Sequence, residues 1–178
     1  MKRITVLVSG GGTNLQALID AQSRGELKNG SITAVISSKA GAYALERAES
    51  AGIPGYVAAR SDYSSSRDYT LALTERLKAL NTDLVVLAGF MHILTGEIVE
   101  AFPNAILNVH PALIPSFCGA GYYGLHVHEA ALSYGVKVTG ATVHFVTEEP
   151  DGGPIVLQKA VDILPDDTPQ TLQRRVME

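Results

Sequence analysis

A chain of 178 residues, 46% apolar and 18% charged, has the size and composition of one ordinary globular domain and excludes a disordered tail. A formal net charge of -4 excludes a global attraction to nucleic acid or acidic lipid, although a loop of amides can still hold one anion locally. With Cys118 as its single cysteine the chain can form no intrachain disulfide, which points to a reducing, cytoplasmic setting.

Met1 to Ile4 lead straight into a short apolar segment without the long hydrophobic region or cleavage site of a secretion signal. No apolar run is long enough to span a bilayer. Ile4 to Val8 predicts a strand that stops at Ser9-Gly10-Gly11-Gly12. Thr13-Asn14 then offers capping groups for a helix carrying Leu15, Leu18 and Ile19. Ile32 to Ile36 predicts a second strand, and Ala42 to Ser50 a helix closed by Ala51-Gly52-Ile53-Pro54. Leu71, Leu73, Leu77 and Leu80 predict a longer helix before a strand at Leu84 to Ala88. Ile98, Val99 and Phe102 fit a short helix, and Ala105 to Val109 a further strand. Ala141 to Val146 and Ile155 to Ala160 predict a hairpin around Glu148 to Gly153, and Leu172 to Glu178 the start of a helix. Strand–helix alternation makes this an α/β fold: an open, mostly parallel twisted sheet with helices on both faces, its functional loops at the carboxyl ends of the strands.

Three polar or glycine-rich segments fall at such ends: Ser9 to Asn14, Gly89 to Leu94 and Asn108 to Gly119. Ser9 to Asn14 matches neither a Walker A loop nor a dinucleotide fingerprint, yet small adjacent residues let backbone N–H groups face one anion. A tight turn without a ligand is the alternative. Asn108 and His110 are two apart, so in a strand an amide donor and an imidazole converge on one spot, as needed to steady an oxyanion and move a proton. The alternative makes His110 a core hydrogen-bonding group and Asn108 a loop cap. Asp151, between Pro150 and Gly152-Gly153, either orients His110 or is a surface-turn aspartate. Five histidines include an i,i+2 pair, His126 and His128, but no HExxH, so no metal site is expected. His144, inside an apolar run, reads as a buried histidine supporting the site.

At these residues the sequence resembles the phosphoribosylglycinamide formyltransferase family, folate-dependent enzymes of purine synthesis within the Rossmann-like formyltransferase superfamily. The landmarks are Ser9 to Gln16, Leu87 to Met91, Asn108 to Pro115 and Val143 to Pro154. The resemblance implies transfer of the formyl group of 10-formyltetrahydrofolate to the amine of glycinamide ribonucleotide, without a metal. It implies that Asn108, His110 and Asp151 are catalytic, with Asp151 pairing with His110 and raising its pKa. Gly12, Thr13 and Asn14 would contact the phosphoribosyl substrate, so that a side chain at Gly12 would crowd its oxygens. Arg67, Met91, His92, Ile93, Leu94, Asn108, Val146 and Thr147 would line the folate pocket, with His144 in support. His92 stands where an arginine is common in the family, and Cys118 to His128 is longer than in its shorter members. The chain is expected to be one formyltransferase domain, 1–178, cut short in its C-terminal helix, acting as a monomer or homodimer with no nucleic acid or membrane partner. A formyltetrahydrofolate hydrolase is the nearest rival. A non-catalytic sugar-phosphate binding module is the rival from another class.

Overall fold

The computed structural model describes residues 1–177; Glu178, where the predicted last helix was to end, lies outside the described residues. The chain divides into two compact units, Met1–Leu107 and the residues from Asn108 onward.

The first unit holds β1 (Lys2–Val8), α1 (Thr13–Ser23), β2 (Gly30–Ser37), α2 (Tyr43–Ser50), β3 (Gly55–Val57), α3 (Ser66–Ala79), β4 (Leu84–Leu87) and α4 (Gly96–Ala101). Its strands run in the order β3-β2-β1-β4 and every described pairing among them is parallel. Because side chains alternate across a strand, Ile4, Val6 and Val8 share one face with Val35 and Val86, and there meet Leu15 and Ile19 of α1 and Ala44 and Ala48 of α2. The intervening Leu7, Ile36, Val85 and Leu87 are buried on the opposite face, and Tyr69, Leu73 and Leu77 of α3 are fully buried as well. Burial on both faces is why β1 and β4 read as nearly continuous apolar runs. The open, mostly parallel α/β architecture expected from the alternation is therefore the one present.

Local details differ from the expectation. Helix α1 begins at Thr13 and its N-cap is Gly12, at φ 71°, with no side-chain cap. Capping does occur at α3, where Ser65 Oγ accepts the Asp68 N–H at 3.0 Å. In α3 the buried stripe is Tyr69, Leu73 and Leu77, while Leu71 lies off it and is exposed. The three-residue β3 carried no run long enough to predict.

Strand β5 (Ile106–His110) enters the second unit at Asn108. There follow α5 (Leu125–Tyr134), β6 (Val138–Phe145), β7 (Ile155–Asp162) and α6 (Pro169–Met177). Strands β6 and β7 form the expected antiparallel hairpin, from Val138 opposite Asp162 to His144 opposite Ile155. Helix α5 was not predicted; it closes at Gly135, whose φ of 85° suits the left-handed C-terminal cap. In α6 Leu172 is fully buried, and Arg175 Nη2 meets Asp167 Oδ1 at 2.7 Å. Among the described residues no helix is long and apolar enough to cross a membrane.

Candidate active site

Asn108 and His110 sit at the carboxyl end of β5, on the same side of the strand because Val109 separates them. Asp151 reaches both from the β6–β7 connection. Its own φ is 55°, and the chain can return to β6 only because residue 153 is glycine: a Cβ there would collide with the carbonyl oxygen of Phe145. Pro154 O accepts the Phe145 N–H at 2.9 Å just beyond.

The carboxylate of Asp151 is the hub. Its Oδ2 lies 3.5 Å from His110 Nδ1, an ion-pair distance, and accepts the Gly119 N–H at 2.9 Å. Its Oδ1 lies 3.4 Å from His144 Nε2 and 3.5 Å from Asn108 Nδ2. Asn108 Nδ2 is also 3.2 Å from His144 Nε2. His110 and His144 are almost wholly buried. The three groups named from sequence therefore converge, and His144 joins them rather than merely lying beneath.

Hydrogen-bond bookkeeping constrains the two imidazoles. His110 Nε2 is 2.8 Å from the carbonyl oxygen of Phe117, which can only accept, so a proton sits on Nε2. Nδ1 faces the Asp151 carboxylate at 3.5 Å. His144 Nδ1 likewise donates to Phe145 O at 2.9 Å. Its Nε2 can then accept from the Asn108 amide when neutral or donate to Asp151 when protonated.

Burial pushes the Asp151 carboxyl upward, but the hydrogen bonds from His144 and the Gly119 amide, with the nearby histidine charges, outweigh it and hold it below the usual range. Burial pushes His144 down, and the Asp151 carboxylate with the Phe145 carbonyl more than reverses this. The upward shift resolved here is thus that of His144, a partner of Asp151 which residue spacing did not reveal. Burial, then the Asp151 charge, raises the Cys118 thiol, which argues against a nucleophilic role.

The phosphate-binding candidates belong to the first unit. A Cβ on Gly10 or Gly11 would meet nothing within 4 Å, whereas one on Gly12 would meet Ala44 Cβ at 2.7 Å. Gly12 is therefore required by its φ and by the approach of α2. Its side-chain direction is filled by protein, and the open approach lies at Gly10 and Gly11. Arg47 braces the turn through Gly11 O at 2.8 Å and Gln16 Oε1 at 2.9 Å. Thr13 is exposed and Asn14 half-buried. Ser9 Oγ accepts the Met91 N–H at 2.9 Å, tying this turn to the segment after β4.

In that segment Met91 and Ile93 are exposed, and Leu94 is half-buried. His92 packs its ring against Tyr69 and Phe90 at 5.7 and 5.6 Å, and burial lowers its pKa. Arg67 is exposed and pairs with Glu97 at 2.6 Å. Val146 and Thr147, in the second unit, are half-buried at the start of the β6–β7 connection.

The i,i+2 pair His126 and His128 is dispersed, since two residues on a helix point to nearly opposite faces. His126 is exposed and meets Glu129 at 2.9 Å, while His128 is fully buried. Among the described residues no group of three or more side chains could hold a metal. Sequence inspection missed the Phe117 carbonyl and the Gly119 amide, because backbone groups leave no signature in residue type.

The class is shown by comparison with known proteins: residues 2–178 match the Formyl transferase family, to which this chain belongs. It is 45% identical over 178 residues to the phosphoribosylglycinamide formyltransferase of Haemophilus influenzae, covering 100% of this chain and 81% of that one. It is also 45% identical over 176 residues to a trifunctional purine biosynthetic protein, adenosine-3, of Drosophila melanogaster; this covers 98% of the chain but only 13% of that much longer protein. Among solved structures, glycinamide ribonucleotide transformylase 1 from Symbiobacterium toebii superimposes with a TM-score of 0.93 at 48% identity, covering 99% of this chain and 81% of that one.

Proposed function

We propose that this chain transfers the formyl group of 10-formyltetrahydrofolate to the amine of glycinamide ribonucleotide, a step of purine biosynthesis. The observation that carries the proposal is the convergence of Asn108 and His110 on Asp151, each within 3.5 Å of its carboxylate. The two units form one formyltransferase domain, a reading supported by the family match running through both.

The deprotonated amine attacks the formyl carbon, and negative charge grows on the formyl oxygen. The Asn108 amide and the His110 imidazole stabilise that charge more than they stabilise the flat ground state. As the new C–N bond forms, the amine loses a proton, the bond to the folate nitrogen breaks, and that nitrogen gains a proton. His110, or a water oriented by Asp151, carries it. His144 sets which partner the Asn108 amide keeps. Gly12, Thr13 and Asn14 form the phosphate-holding turn, next to the open space at Gly10 and Gly11. Met91, His92, Ile93 and Leu94, with Arg67, Val146 and Thr147, contact the folate, for which the exposed apolar Met91 and Ile93 supply surface. The protein works in the cytoplasm, as a monomer or homodimer, and needs no metal.

Tetrahydrofolate production from 10-formyltetrahydrofolate, followed with and without glycinamide ribonucleotide, tests this. Release that requires the amine is expected. Equal release without it would identify a hydrolase, and no release in either case a binding module.

A further inference from the structure

The loop after β5 does more than connect. Between Ser116 and Gly124 the backbone enters the left-handed region at Phe117 (φ 48°), Gly119 (84°), Gly121 (90°) and Gly124 (54°). Three of these are glycines, which adopt it freely; Phe117 does not, and a non-glycine residue there is held by its surroundings. Two backbone groups of the loop grip the cluster directly: Phe117 O takes the His110 Nε2 proton at 2.8 Å, and Gly119 N–H binds Asp151 Oδ2 at 2.9 Å.

What holds Phe117 is aromatic. Its ring lies edge-on to Tyr122, centroids 6.1 Å apart at 67°, and to Tyr134, 6.0 Å apart at 76°. Both separations fall in the favourable range for edge-to-face pairs. Tyr134 is the last residue of α5, and the cap at Gly135, whose N–H reaches Ala131 O and Leu132 O, fixes the helix end that presents it. Yet Tyr134 is 80% exposed, so core burial does not explain an aromatic residue there.

We propose that Tyr134, acting through the Phe117 ring and carbonyl, is a positioning residue that fixes the plane and Nε2 proton of His110 for formyl transfer. The role rests on the function proposed above. Tyr134 does not touch the His110 ring; it restrains the loop whose carbonyl does. Tyr122, the other ring packed edge-on to Phe117, shares the task.

The test compares Tyr134→Ala, Tyr134→Phe and Tyr122→Ala with the unsubstituted chain. One readout is kcat and KM for formyl transfer across neutral pH; the other is the 15N NMR signal of the His110 ring nitrogens, which needs no turnover. Tyr134→Ala should lower kcat roughly two- to tenfold, the worth of one aromatic pair, with KM changed less than about twofold. Its His110 Nε2 signal should move, Tyr134→Phe should restore both, and Tyr122→Ala should move the signal in the same way. An unmoved Nε2 signal in Tyr134→Ala overturns the proposal, as does a loss confined to KM or one that phenylalanine does not rescue. If the unsubstituted chain transfers no formyl group, the proposed function fails, and the Nε2 signal alone still decides whether Tyr134 positions His110.

Discussion

The glycine-rich turn after β1 and the polar cluster after β5 both stand at the carboxyl end of a strand, but they are made of different material. The turn is backbone: Gly10 and Gly11 leave space open, Gly12 is closed off by Ala44, and Arg47 braces it from behind. The cluster is buried and half-buried side chains grouped around one carboxylate, Asp151, with backbone groups of the 117–119 loop closing the remaining contacts. Substitutions in the turn should therefore act through shape, and substitutions in the cluster through charge and proton placement.

The largest effect is expected in the cluster. His110→Ala should lower kcat by roughly 10²–10⁴, the usual worth of a positioned acid–base group, while folate KM changes little. Steady-state kinetics check this; normal turnover removes His110 from the mechanism. In the turn, Gly12→Val should destabilise the fold by roughly 2–4 kcal/mol, from a left-handed β-branched residue pressed on Ala44. Gly11→Ala, facing open space, should leave the melting temperature alone and raise KM for the phosphorylated substrate instead. Calorimetry with kinetics separates the two, and equal destabilisation by both would erase the proposed contrast.

A smaller effect concerns pH. The Asp151 carboxyl is depressed from 3.8, so its contribution to stability is present above that value and is lost as pH falls through the folded-state pKa. His144 is raised from 6.5, so its contribution is present below that value and is lost as pH rises through its folded-state pKa. The pair stabilises the fold most between those limits. Asp151→Asn should flatten this dependence and drop the His144 pKa, since burial then acts without the carboxylate. An NMR titration of His144 that matches the parent would break the link. Least affected should be Arg67→Ala, which removes an exposed ion pair with Glu97; thermal stability should be unchanged, with roughly a two- to fivefold rise in folate KM. A wild-type folate KM would take Arg67 out of the folate site.

Much of the molecule was legible in the residues. The parallel first unit follows from apolar runs at β1, β2 and β4 separated by helical periodicity, because a strand buried on both faces must be apolar at nearly every position. The Asn108/His110 pairing follows from strand alternation. Helix α5 was obscured because two histidines, one exposed and one buried, blur its apolar stripe, and because Gly119, Gly121 and Gly124 make its approach look like an extended loop. The three-residue β3 was too short to leave a pattern.

Sequence by itself determined the layered α/β class and supplied an amide, an imidazole and a carboxylate, since periodicity and residue type are local properties. Only the tertiary structure decided that Asp151 is shared between His110 and His144, that Gly12 serves packing while Gly11 stays open, and that a Phe117 carbonyl holds the His110 proton. Those outcomes depend on distances between segments far apart in the chain and on backbone groups common to every residue, neither of which residue identity encodes.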